Sequence, residues 1–75
     1  MSFEDAATVF LDPLAISVYD QDHSTDEIRY ATIGTTRTGH LLVVIHTNRG
    51  RSVRIITAWP ATPAERRSYE QAPRR

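Results

Sequence analysis

Cysteine is absent from this chain. No disulfide can staple it, and no thiolate can ligate a metal. Long apolar runs are absent too. The longest, residues 41–45, is only LLVVI, whereas a membrane-spanning helix needs about 20 apolar residues. Residues 1–5 carry no basic charge and no apolar run follows them, so no secretory signal is expected and the cytoplasm is the predicted location. Glycine is scarce: Gly34, Gly39 and Gly50 all fall in predicted turns, and no glycine-rich phosphate loop exists. The 75 residues are enough for a single domain spanning 1–75. A core of that size is marginal, so packing or a second chain must supply the stability.

Lysine is also missing, and all nine basic residues are arginine. The formal net charge of zero hides their distribution. Residues 1–28 hold seven acids and no basic residue, while residues 29–75 hold nine arginines and two glutamates, a balance of +7. Such asymmetry predicts a basic surface able to meet phosphates. The plainer alternative is two halves that neutralise each other in the fold.

Ser2, with Asp5 three residues on, reads as a capping box for a helix over residues 3–11. Phe3, Ala6, Ala7 and Phe10 recur there at helical spacing. Asp12-Pro13 stops it, because the residue before proline avoids the α region. Strands are predicted over residues 15–19, 28–33, 40–47 and 53–59, with turns at residues 35–39 and 48–50. The unbroken apolar run of the third strand predicts burial on both faces, as at the centre of a sheet. Pro60 ends the fourth strand. Thr62 as cap, Pro63 at the first helical position and Glu65 as capping-box partner start a closing helix that runs to about residue 72. The expected fold class is α+β: a short N-terminal helix, a four-stranded, mainly antiparallel sheet, and a C-terminal helix. Both helices are expected on one face, leaving the other uncovered.

Residues 20–26 alternate oxygen ligands at Asp20, Asp22 and Ser24. Thr25 replaces the sharp-turn glycine and Ala31 the closing glutamate of a calcium loop, so a solvated acidic loop is the reading. His23, His40 and His46 are isolated in sequence. His40 and His46 share strand parity but would lie about 20 Å apart, too far for one metal, and no metal site is predicted. His46 is kept as a candidate catalytic residue beside the alternative of a structural histidine. The arginines are the remaining chemistry. Arg29 falls on the second strand, Arg54 on the fourth, Arg49 and Arg51 in the turn between the last two strands, and Arg66 and Arg67 on the closing helix. Guanidinium groups bind phosphate oxygens through bidentate forks. Clustered on one sheet face, they could hold an RNA backbone and stabilise charge at a scissile phosphate; the alternative is an arginine-rich solvated face paired with Glu65, Glu70 and the acidic N-terminal half.

These residues carry a family resemblance. The segment from Phe3 to Pro13 resembles the second-helix segment of BrnT proteins. Residues 27–34 resemble their "E-x-R-(aromatic)-x-x-I-G" strand, residues 39–47 their "G-R-L-L-V-V-V-x-T" strand, and residues 54–70 their "R-I-I-S-A-R-x-A-x-x-x-E-R-x-x-Y-E" segment. The resemblance implies a ribonuclease toxin of a bacterial type II toxin–antitoxin system with a RelE-like fold. Its implied partners are RNA and a BrnA-type antitoxin, with DNA met only through the antitoxin. Arg29 and Arg54 match positions implied in phosphate binding and catalysis, while Arg66 and Tyr69 match the closing helix. The family's usual first strand and helix have no counterpart before Ser2, so the chain reads as shortened at its N-terminus. Trp59 and His40 each replace a family arginine. Loss of one such donor typically costs roughly 10²–10³ in rate, although the Trp59 ring could stack on a base, worth about 1–3 kcal/mol.

The expected function is therefore an endoribonuclease toxin that cuts RNA without metal or cofactor. Arg29 and Arg54 form its clamp, His46 or Glu65 move protons, and Arg49, Arg51, Trp59 and Arg66 contact RNA. The alternative is a catalytically weakened or inactive toxin acting as an antitoxin-binding or dimerising domain through an unpaired sheet edge. A homodimer is expected in either case, and no membrane.

Overall fold

The computed structural model describes residues 2–22 and 27–73. Helix α1, Phe3–Ala7, tightens into a 3-10 turn, Thr8–Leu11. The Ser2 hydroxyl caps it, accepting from the Asp5 backbone N–H at 3.0 Å. Among the described residues only this half of the expected capping box forms. The Asp5 carboxylate accepts from the Thr38 hydroxyl, both oxygens at 3.3 Å, which ties the helix to the sheet. Asp12 then turns extended before Pro13 and ends the helical segment.

Four strands follow: β1 Ile16–Tyr19, β2 Tyr30–Thr35, β3 Leu41–Arg49 and β4 Ser52–Pro60. They pair antiparallel in sequence order, with β1 and β4 at the edges. Helix α2, Pro63–Gln71, closes the chain. Its full capping box joins Thr62 and Glu65, with proline in the first turn. The architecture is the α+β order expected.

All four strands depart from the sequence reading by one or two residues at one end or both, and the shifts in β2 and β3 matter most. Strand β2 begins at Tyr30 rather than residue 28 and runs through Gly34, which was assigned to a turn. Gly34 is needed for close approach: a Cβ there would meet Val9 Cγ1 at 2.7 Å and Val9 O at 3.2 Å. Strand β3 continues through Asn48 and Arg49, leaving the two-residue turn 50–51. Gly50 has φ +58° and no described non-glycine residue has positive φ. That is the φ pattern of a II′ hairpin, whose twist lets both strands pair to the turn.

Strand periodicity sorts β3 onto two faces. Leu42 and Val44 pack with Ala6 and Val9, bordered by Phe10, Ile55 and Ala58. Leu41, Val43, Ile45 and Thr47 are buried on the opposite face. The helices do not share a face as expected. The first covers the Leu42 side, while α2 sits over the Val43 side, where Glu65 reaches Trp59 and Tyr69 reaches Thr35. A strand apolar on both faces needs cover on both. Asp12 locks the two ends of the chain together: its Oδ2 accepts from Tyr69 Oη at 2.6 Å and from the Thr35 backbone N–H at 2.9 Å.

One irregularity positions the site. Ile45 faces Thr57 and His46 faces Ile55, so Ile56 is an extra residue in β4. This β-bulge reverses the parity of everything beyond it in β4. Arg54 is thereby placed opposite Thr47, on the α2 face.

Candidate nucleic-acid interface

Three arginines converge on one carboxylate. Arg54 Nη2 donates to Glu27 Oε1 at 2.6 Å, and Arg49 Nη2 donates to Glu27 Oε2 at 3.0 Å. Arg29 Nη2 lies 3.9 Å from Oε1. Each arginine comes from a different segment of the chain. Arg29 immediately precedes β2, where its backbone carbonyl accepts from the Asp20 N–H at 2.9 Å. Arg49 is the last residue of β3, and Arg54 is aimed here by the bulge. The Arg29 side chain is 25% exposed, against 51% for Arg54 and 61% for Arg49, so Arg29 forms the floor and the other two reach into solvent. Beside Arg54 the buried Thr47 hydroxyl has no hydrogen-bond partner among the described residues.

The cluster acts back on Glu27. Its hydrogen bond from Arg49 holds the carboxyl below the ordinary value; burial opposes this, and the bond and charge of Arg54 reinforce it. Glu27 therefore stays ionised, a counter-ion shared by three cations. Sequence reasoning placed Glu27 only as one of the acids of the N-terminal half that could neutralise the arginines, without singling it out. The available signal was its spacing from Arg29, since residues two apart in extended chain point the same way.

His46 lies on the other face and is buried. Its Nε2 meets Thr32 Oγ1 at 2.7 Å, and Thr32 in turn meets Ser17 Oγ at 2.6 Å. Nδ1 lies 3.2 Å from Asn48 Oδ1, an acceptor, so Nδ1 carries the proton and Nε2 accepts from Thr32. Phe10 packs edge-on to the ring at 4.8 Å, and Tyr30 stacks at 6.0 Å. Burial pushes the imidazole pKa down, against the Asn48 bond that raises it. The structure thus separates His46 from the arginines by the thickness of the sheet.

Trp59 stands opposite Val43 on the same face as the arginines. Its indole N–H donates to Glu65 Oε1 at 3.2 Å. Burial raises the Glu65 pKa, but the bonds from the Thr62 backbone, Trp59 and the Thr62 hydroxyl outweigh it and hold the carboxyl low. Between Trp59 and β1 runs an open groove of about 270 Å³, lined by Val18, Ile33, Val43 and Ile45 among others. Arg51 is exposed on the turn 50–51, beside Arg49. Arg66 is not brought to the cluster. It lines a separate cavity of about 390 Å³ with Asp5, His40 and Pro60, at the opposite end of β3.

Residues 23–26, with His23 and much of the acidic loop weighed for calcium, lie outside the described residues. Among the described residues no three His, Asp or Glu side chains gather as a metal site. None of their helices is long and apolar enough to cross a membrane.

The class defined is a small α+β protein whose antiparallel sheet gathers three guanidinium groups around one carboxylate on one face. The family model for the ribonuclease toxin, BrnT, of type II toxin-antitoxin systems matches residues 1–65, and the chain belongs to that family. The match ends before Arg66 and Tyr69. No curated protein matches the chain. Family membership makes an antitoxin the class of protein partner.

Proposed function

We propose that the chain cuts RNA without a metal ion, using Arg29, Arg49 and Arg54 to hold the scissile phosphate. The convergence of these three side chains carries the reading. In this reaction the ribose 2′-hydroxyl loses its proton to solvent as its oxygen attacks the neighbouring phosphorus. The bond to the 5′-oxygen breaks, and the departing oxygen takes a proton from solvent. Negative charge grows on the non-bridging oxygens, where positioned guanidinium donors stabilise it. Glu27, held ionised by its arginines, is a weak proton acceptor, so the cluster works chiefly through charge. His46 serves the fold: both ring nitrogens are engaged on the far face.

Arg51 extends the cationic end, and Trp59 offers a ring to a base of the same strand. Along β3 the Trp59 and Arg54 positions are four residues apart, about 13 Å, a span that single-stranded RNA covers. Arg66 lies at the other end of the sheet and contributes at most a distant phosphate contact. A BrnA-type antitoxin neutralises the toxin, DNA is met only through that antitoxin, and two copies of the chain form a dimer.

The test is cleavage of a labelled total-RNA pool in EDTA by purified protein. Arg54→Ala is expected to lose roughly 10²–10³ in rate while keeping the wild-type circular dichroism spectrum. Retained cleavage by the folded variant removes Arg54 from the mechanism. No cleavage by folded wild type favours the second reading, an inactive toxin that binds the antitoxin. The use of the Trp59 indole N–H to brace Glu65 supports that alternative.

A further inference from the structure

We infer that Glu27 is a built-in competitor for phosphate: its carboxylate occupies the place among Arg29, Arg49 and Arg54 that an RNA phosphate takes, and it must be displaced for binding. The inference rests on the reading of the arginine cluster as the phosphate site. Its geometry is that of an occupied anion site. The two carboxylate oxygens sit at 2.6 and 3.0 Å from separate guanidinium groups, the spacing of charge-assisted bonds. The same N–H groups are the donors a phosphate would need.

Charge sets the consequence. Among the described residues these ion pairs join three arginines and one glutamate, a charge of 3 − 1 = +2. An internal phosphodiester brings one negative charge and displaces one. The exchange leaves the cluster's charge unchanged, so much of the attraction three arginines would exert on RNA is cancelled by releasing Glu27. A scaffolding role predicts the opposite sign, because removal of a scaffold disorders the arginines and weakens binding. The arginines have other anchors, however. Arg49 and Arg54 are fixed at their backbones by the β3–β4 ladder, and Arg29 by its carbonyl bond to Asp20 and its low exposure. Glu27 thus contributes little order and much competition.

The test compares wild type with Glu27→Gln, using two probes. One is a fluorescein-labelled single-stranded 2′-O-methyl RNA, which cannot be cut, titrated at several salt concentrations. The other is inorganic pyrophosphate, followed through the arginine Nε–Hε signals by NMR. The variant is expected to bind both about tenfold tighter, the effect of removing one unit charge at close range. Its log K should fall more steeply with log salt, by about 0.7 in slope, which a purely structural change would not produce. Equal or weaker binding of both probes by a folded variant overturns the inference. If neither protein binds RNA yet pyrophosphate tightens, the competitor stands and the RNA reading fails. If the glutamine variant melts early, Glu27→Ala makes the same comparison with no amide left among the guanidinium groups.

Discussion

At the scale of single residues, sequence alone leaves His46 between a catalytic and a structural role and sets Glu27 only among the acids that could neutralise the arginines. What decides both is contact across the sheet. Glu27 meets Arg49 and Arg54 from 22 and 27 residues away, and no local pattern encodes such a meeting. Arg29 and Arg54 were legible because their motif context resembles the family's. The buried His46 makes a prediction about pH. Its folded pKa lies below the ordinary 6.5, so the unfolded chain takes up a proton first as pH falls. The stability from neutral His46 is fully present above about 6.5 and is lost as pH falls from there through the lower folded value. Glu27 and Glu65, with pKa values held below the ordinary 4.5, lose theirs only in the more acid range beneath it. Thermal melts between pH 7.5 and 5 should therefore show Tm falling for wild type. In His46→Phe, which keeps a ring against Phe10 and Tyr30, the curve should be flatter though lower throughout. An equally steep acid loss in that variant would assign the pH dependence elsewhere.

At the scale of elements, the order of helices and strands was legible because each has a local cause. Proline ends the helical segment after Leu11 and ends β4, Thr62 and Glu65 start α2, and an apolar run makes β3 central. The bulge at Ile56 was not legible. Every residue of β4 suits a strand, and the extra residue appears only once β3 supplies the register. It decides the face on which Arg54 lies, since a regular ladder would have turned that residue to the His46 face. Gly34 was misread for a related reason, because glycine in isolation signals a turn. Here it lets the 3-10 turn approach β2. Gly34→Ala should push its new Cβ into Val9, and the expected cost is about 1–3 kcal/mol of stability, typical of overpacking. Chemical denaturation would measure it. In the double variant with Val9→Ala the two losses should not add, since the second change removes the atom the first one strikes. Simple additivity would mean that Gly34 matters through its backbone and not through this contact.

At the scale of the whole molecule, the sequence signalled an unsatisfied core but misassigned its cover. The helices take opposite faces, yet apolar surface remains outside them. Val18 is 54% exposed and Tyr19 55% on edge strand β1, with Ile28 at 59% nearby. An edge strand carrying exposed apolar side chains is a template for pairing with another chain, and a core this small gains from any further burial. A second copy offers an identical edge, so two β1 strands can pair antiparallel about a two-fold axis and extend the sheets across the dimer. Folding is then coupled to association, and the melting temperature rises with protein concentration. Val18→Lys places a charge on that edge and should give a monomer by sedimentation, with a Tm no longer dependent on concentration. Val18 pairs with Ala31 and lies one pleat from Arg29 on the same face. The variant therefore keeps all three arginines and adds positive charge beside them, and pyrophosphate binding should survive it. A wild-type chain that sediments as a monomer at high micromolar concentration, with a cooperative melt independent of concentration, would show that the core is sufficient alone and leave the β1 edge free for the antitoxin.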